Sequence, residues 1–121
     1  MALPGPLQDF VKAVEKINSF KLLDSQESIL VKANAKKFAH IFMDYLSFAD
    51  DIYENPHGTI SIEWDNEFKE IISIEIGKET MSFFVKLNDA PLATGENLPI
   101  RPSLITTMKM HFVRLSLTSH K

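Results

Sequence analysis

Gly58-Thr59-Ile60-Ser61-Ile62-Glu63-Trp64-Asp65, continued by Asn66-Glu67-Phe68-Lys69-Glu70-Ile71-Ile72-Ser73-Ile74-Glu75-Ile76, Gly77-Lys78-Glu79 and Thr80-Met81-Ser82-Phe83-Phe84-Val85-Lys86-Leu87, is the stretch that decides the fold. Its apolar residues alternate with polar ones in three runs, and two turn sequences separate the runs. Alternation at period two is the mark of a strand with one buried face, so the stretch predicts an antiparallel meander over 58–87. Ile60, Ile62 and Trp64 share one face with Phe68, Ile72, Ile74 and Ile76, and with Met81, Phe83, Val85 and Leu87.

Turn chemistry suggests a register. A three-residue loop at 65–67 pairs Trp64 with Phe68 and Ile60 with Ile72, and it places Glu63 across from Lys69. A two-residue turn at Gly77-Lys78 pairs Ile74 with Met81 and Ile72 with Phe83. In that register Ile71 and Phe84 become cross-strand neighbours on the polar face. Exposed apolar residues are common singly. Two together, with Ser73 and Lys69 beside them, are the candidate partner-binding patch.

Outward from the meander the pattern turns helical. Leu7, Phe10, Val11, Val14 and Ile17 recur at helical spacing. Asp24 and Glu27 have capping-box spacing ahead of a second helix running to about Phe48, with Val31, Ala35, Phe38, Phe42 and Tyr45 on one stripe. Tyr53 to Gly58 reads as a linker, and 88–102, with Pro91, Gly95, Pro99 and Pro102, as a long loop that is functional or mobile. Ser103 is the expected N-cap of a last helix over 103–118, although Thr106, Thr107 and Val113 also suit a strand. The prediction is a single α+β domain over 1–121. Its helical part is 7–48, and a three-stranded antiparallel meander is packed on one face by helices in the order α-α-β-β-β-α.

Composition narrows the function. The 121 residues are 45% hydrophobic, as in globular domains, and include no cysteine, which excludes disulfides, zinc–thiolate sites and a cysteine nucleophile. No basic-then-apolar leader and no membrane-spanning run is legible, so a cytoplasmic location is expected. The net charge of −3 is unevenly spread: −2 over 1–57, −5 over 58–99 and +4 over 100–121. Arg101, Lys109, Arg114 and Lys121 are dispersed and lack interleaved aromatics, which reads as a solvated face rather than a nucleic-acid surface.

No motif specifies a reaction or a cofactor. His40 and Asp44 lie four apart on the second predicted helix, and with Asp51 and His57 they are the candidate metal ligands, the basis of a small metal-dependent hydrolase reading. The ordinary alternative is surface histidines beside surface carboxylates. Glu63 and Asp65 alternate on a polar, solvated face, where paired carboxylates have ordinary chemistry.

Pro56-His57-Gly58-Thr59-Ile60-Ser61-Ile62-Glu63-Trp64 and the following Ile-Ser-Ile-Glu-Ile-Gly strand, preceded by an Ala-containing helix with Ala33, Ala35, Phe38 and Leu46, resemble a pattern in small bacterial proteins of unknown function. That pattern is a helix, a Pro-x-Gly turn and a strand ending Glu-Trp. The resemblance implies a bacterial or mobile-element source and an uncharacterised role, and it carries no catalytic residues. The leading expectation is therefore a non-enzymatic interaction module or small adaptor. It would bind another protein or a second copy of itself, as a homodimer, through the open sheet face, with no cofactor, nucleic acid or membrane. A type III-like secretion chaperone is the alternative within the binding class.

Overall fold

The computed structural model describes residues 5–21, 26–88 and 91–119. Within them lie α1 (Gly5–Ser19), α2 (Gln26–Ile41), a 3-10 segment (Met43–Phe48), β1 (Ala49–Glu54), β2 (Ile60–Asp65), β3 (Ile71–Ile76), β4 (Thr80–Lys86), β5 (Ala93–Pro99) and α3 (Pro102–Ser119). The class is α+β, as the alternating runs predict. The sheet, however, has five strands rather than three, in the order β1-β2-β3-β4-β5 with every neighbour antiparallel.

The two extra strands are the edges. β1 follows the expected helix end at Phe48 and takes in Tyr53 and Glu54 of the expected linker, and β5 lies in the expected loop. Neither alternates clearly. Ile52 is the buried apolar residue of β1, and β5 offers Ala93 and Leu98, each partly exposed. Both are strands because β2 and β4 each present a free row of N–H and C=O groups beside a buried core, and those groups need partners. Each edge pair carries a register irregularity, between Ala49 and Asp51 and between Met81 and Phe83. Such breaks are common at edges and blunt them against further pairing.

Register differs from the expected one by an even number of residues, so the faces hold while the partners change. Trp64 pairs with Ile72 and Ile60 with Ile76. Ile76 pairs with Met81, Ile74 with Phe83 and Ile72 with Val85. The reason at the first turn is Asn66. Its side-chain oxygen accepts from the backbone N–H groups of Phe68 and Glu70 at 3.0 and 3.1 Å, and its own N–H donates to the Glu70 carbonyl at 3.2 Å. This holds a wide turn over 66–70, with Lys69 in left-handed conformation at φ 63°. Phe68 is therefore an exposed turn residue, and Lys69 is not across from Glu63, which pairs with Ser73.

One face of the sheet is sealed. Ile60, Ile62, Trp64, Ile72, Ile74, Ile76, Met81 and Val85 are buried beneath Val31, Ala35, Phe38 and Phe42, and beneath Met108, Phe112 and Leu115 of α3. Full burial of each large side chain is worth about 1.5–3 kcal/mol, so this shared face dominates the stability. α1 adds Ala13 and Ile17 against α2 and the 3-10 segment. α2 stops at Ile41 rather than Phe48. The chain then tightens, with Tyr45 N–H donating to the Phe42 carbonyl at 2.9 Å, and turns into β1.

α3 is a helix from Pro102, one residue ahead of the expected start. Arg101 rather than Ser103 caps it: its carbonyl accepts from Leu104 and Ile105 N–H groups at 3.0 and 3.1 Å, and Pro102 takes the first position, where a missing N–H costs nothing. Thr106 and Thr107 fit because their hydroxyls donate to the carbonyls of Pro102 and Ser103, at 3.0 and 3.1 Å. Asp24, the expected cap of α2, and Lys121 lie outside the described residues. No helix among the described residues is long and apolar enough to cross a membrane.

Candidate functional site

The second face of the sheet follows from the same parity. Cross-strand pairing aligns its side chains in rows: Tyr53, Ser61, Glu75 and Ser82; then Asp51, Glu63, Ser73, Phe84 and Thr94; then Asp65, Ile71 and Lys86. The helices bury the opposite face. Phe84 stands in the middle row, 38% exposed as a residue, between Ser73 and Thr94. Ile71 is opposite Lys86 rather than Phe84, so the two apolar residues are diagonal neighbours, and Ile71 is partly buried. Of the expected patch, Ile71, Ser73 and Phe84 share this face, whereas Lys69 sits in the turn beyond it.

Beside Phe84 the face is concave. A hollow of about 250 Å³ is lined by Ser73, Glu75, Ser82, Phe84, Thr94 and Glu96. The register break opposite Ser82 shapes its far wall: Ser82 Oγ accepts from the Asn97 N–H at 3.0 Å, and Asn97 takes a left-handed φ of 52°. Gly95 allows the close approach behind it. A β-carbon there would lie 2.5 Å from Phe83 Cε1 and 2.6 Å from Leu98 Cδ1.

A polar network crosses the neighbouring rows. Asn55 Nδ2 donates to Thr59 Oγ1 at 3.0 Å and to Ser61 Oγ at 2.8 Å. Thr59 Oγ1 donates to Glu75 Oε2 at 2.6 Å, and His57 Nε2 contacts the same oxygen at 2.5 Å. The Thr59 hydroxyl, and after it His57, hold the Glu75 carboxyl below its ordinary range. Tyr53 donates to Glu63 Oε2 at 3.1 Å, and burial is the main cause of its raised phenol pKa. A carboxylate accepts only, so Nε2 of His57 carries a proton and cannot take one from Thr59. The trio is thus a hydrogen-bonded carboxylate rather than a nucleophile with its base.

The candidate metal ligands have separate neighbours. His40 lies edge-on to Phe10, with ring centres 5.3 Å apart, and Asp44 is exposed on the 3-10 segment. Asp51 pairs with Lys16 at 3.3 Å, and His57 meets Glu75. Among the described residues, no three His, Asp or Glu side chains form a group that could hold a metal ion.

Sequence reasoning missed Asn55, Thr59 and Glu75 as a unit, and it missed Glu96. Asn55 and Thr59 lie in and next to the expected linker, and Glu96 lies in the expected loop. No local pattern brings them to Glu75; strand pairing does. No family model matches the chain, and neither a curated protein nor a solved structure shows a significant match to it.

Proposed function

We propose that this protein is a binding module that engages a partner protein through the open face of its sheet. Phe84 carries the reading. Its ring stands exposed in the middle row of that face, flanked by hydroxyl-bearing Ser73 and Thr94, with Ile71 diagonal to it. An aromatic anchor inside a polar surround is the composition of an interface hot spot.

Size bears on the kind of partner. Five strands about 4.8 Å apart and about six residues long span roughly 20 Å by 20 Å, or roughly 400 Å². A standard interface covers about 800 Å² per partner, so this face suits a transient partner or a single segment of chain. Charge bears on it too. The face carries Asp51, Glu63, Asp65 and Glu75 in its rows, and Glu96 at the hollow. Stacking two copies face to face would bring like charges together, at about 3 kcal/mol for each pair about 5 Å apart in a medium of effective dielectric about 20. A different protein is favoured over a second copy.

The test is capture from lysate of the source cells, with wild type and the double variant Ile71→Ser, Phe84→Ser as baits. Serine leaves the charge of the face unchanged, and circular dichroism checks the fold of the variant. Proteins retained by wild type and lost by the variant support the module. Identical retention by the two folded baits rejects it.

A further inference from the structure

The proposed binding face has a sign and a hollow, and together they specify the partner's chemistry. Along the rows the acidic side chains are Asp51, Glu63, Asp65 and Glu75, and the strand lysine among them is Lys86. Asp51 is matched by Lys16 from α1. Glu63 and Glu75 take hydrogen bonds from the neutral hydroxyls of Tyr53 and Thr59, which hold a carboxylate in place without cancelling its charge. The exposed His57 touches Glu75 from the side of the linker.

The hollow beside Phe84 concentrates this chemistry. Glu75 and Glu96 supply carboxylates, Ser73, Ser82 and Thr94 supply hydroxyl acceptors, and the Phe84 ring supplies an apolar, electron-rich surface. At about 250 Å³ it is smaller than the ~300–1,000 Å³ of sites for drug-sized ligands, and it suits one side chain. A guanidinium group matches the lining best. It is planar, stacks on an aromatic ring, and spreads five N–H donors in one plane, where an ammonium group presents a compact point of charge.

We infer that this hollow receives an arginine side chain from a basic segment of the partner protein. The inference rests on the open face being the binding surface, and it adds what binds there. Glu75 and Glu96 attract the segment, the hydroxyls orient the guanidinium, and the ring of Phe84 covers one of its faces.

The test titrates the isotope-labelled full chain with nona-arginine, nona-lysine and an uncharged Ser-Gly peptide of equal length, at 150 mM salt. Nona-arginine should move the amide signals of Ser73, Phe84 and Thr94 first, and should bind at least threefold more tightly than nona-lysine. Phe84→Ala and Glu96→Gln should each weaken it at least fivefold. Glu15→Gln, the same charge change on the exposed side of α1, should alter it less than twofold. Equal weakening by Glu15→Gln and Glu96→Gln, or no effect of Phe84→Ala, would show diffuse attraction and overturn the inference. Spermine competing as well as nona-arginine would overturn it in favour of a free polyamine. If no cationic peptide moves those signals while the double serine variant still loses a protein in the capture experiment, the arginine falls and the binding face stands. If capture is unchanged as well, both fall.

Discussion

Asn66 and Glu70 hold each other across the turn between β2 and β3. Asn66 Nδ2 donates to Glu70 Oε1 at 2.8 Å, and Asn66 Oδ1 accepts from the Glu70 backbone N–H at 3.1 Å. Asn66 Nδ2 also reaches the Leu115 carbonyl of α3 at 3.3 Å, and Glu70 Oε2 accepts from the Asn88 N–H, just past β4, at 2.8 Å. The pair therefore ties the turn to the last helix and to the chain leaving the fourth strand.

Glu70 is only 1% exposed, and its removal leaves the partly buried Asn66 Nδ2 and the Asn88 N–H without this acceptor. Glu70→Ala is expected to cost about 3 kcal/mol, because hydrogen bonds to a charged group are worth about 1.5–3 kcal/mol and the Asn88 N–H loses its acceptor. Glu70→Gln keeps an acceptor and should cost about half as much. Urea unfolding of the two variants measures both. A loss below about 1 kcal/mol for alanine would show that the turn holds without its carboxylate.

Gly95 and Phe83 are expected to be coupled. A β-carbon at position 95 meets the Phe83 ring and Leu98, so Gly95→Ala should destabilise by about 1–3 kcal/mol, the usual cost of overpacking. Phe83→Leu in the same chain removes the closer clash. The double variant should be more stable than the sum of the two single changes predicts, and a thermodynamic cycle of unfolding energies checks this.

Phe112 is the hub of the aromatic core. Its ring centre lies 4.6 Å from that of Phe42, 4.7 Å from that of Trp64 and 5.5 Å from that of Tyr45. Phe112→Ala should cost about 3–5 kcal/mol. Trp64 is fully buried and is the single tryptophan of the chain, so its emission should shift to the red as water gains access. Emission that stays blue, with a small stability loss, would mean that the cavity has closed by collapse.

Glu75 and Tyr53 should give opposite pH signatures. The folded-state pKa of Glu75 is lowered from 4.5, so its contribution is complete above pH 4.5 and fades as pH falls through the lowered value. Thr59→Val should return that pKa toward the ordinary range in a carboxyl NMR titration. The stability change should stay under about 1 kcal/mol, since the carboxylate is partly exposed and screened. The pKa of Tyr53 is raised from 10.0, so its contribution is present below pH 10.0 and is lost as pH rises through the raised value. Tyr53→Phe should flatten that alkaline limb.

Period-two alternation in 58–87 determined the β-sheet core and the face on which each central side chain stands. That assignment survives because both turns displace the pairing by an even number of residues, and only an odd displacement inverts a strand. Helical spacing in the same way predicted the buried positions Val31, Ala35, Phe38 and Phe42. Both signals are local, because a residue's place on a strand or helix face is set by its own few neighbours. Tertiary structure decided the rest. β1 and β5 are strands because β2 and β4 need hydrogen-bond partners beside the core, a demand that Ala49–Glu54 and Ala93–Pro99 do not announce in their own composition. The Asn66 side chain chose the register, through bonds to Phe68, Glu70 and Leu115. The hollow beside Phe84 exists because pairing sets Glu75 and Glu96, twenty-one positions apart, on two walls of one depression. Chain distance carries no information about that meeting; the sheet's cross-strand geometry supplies it.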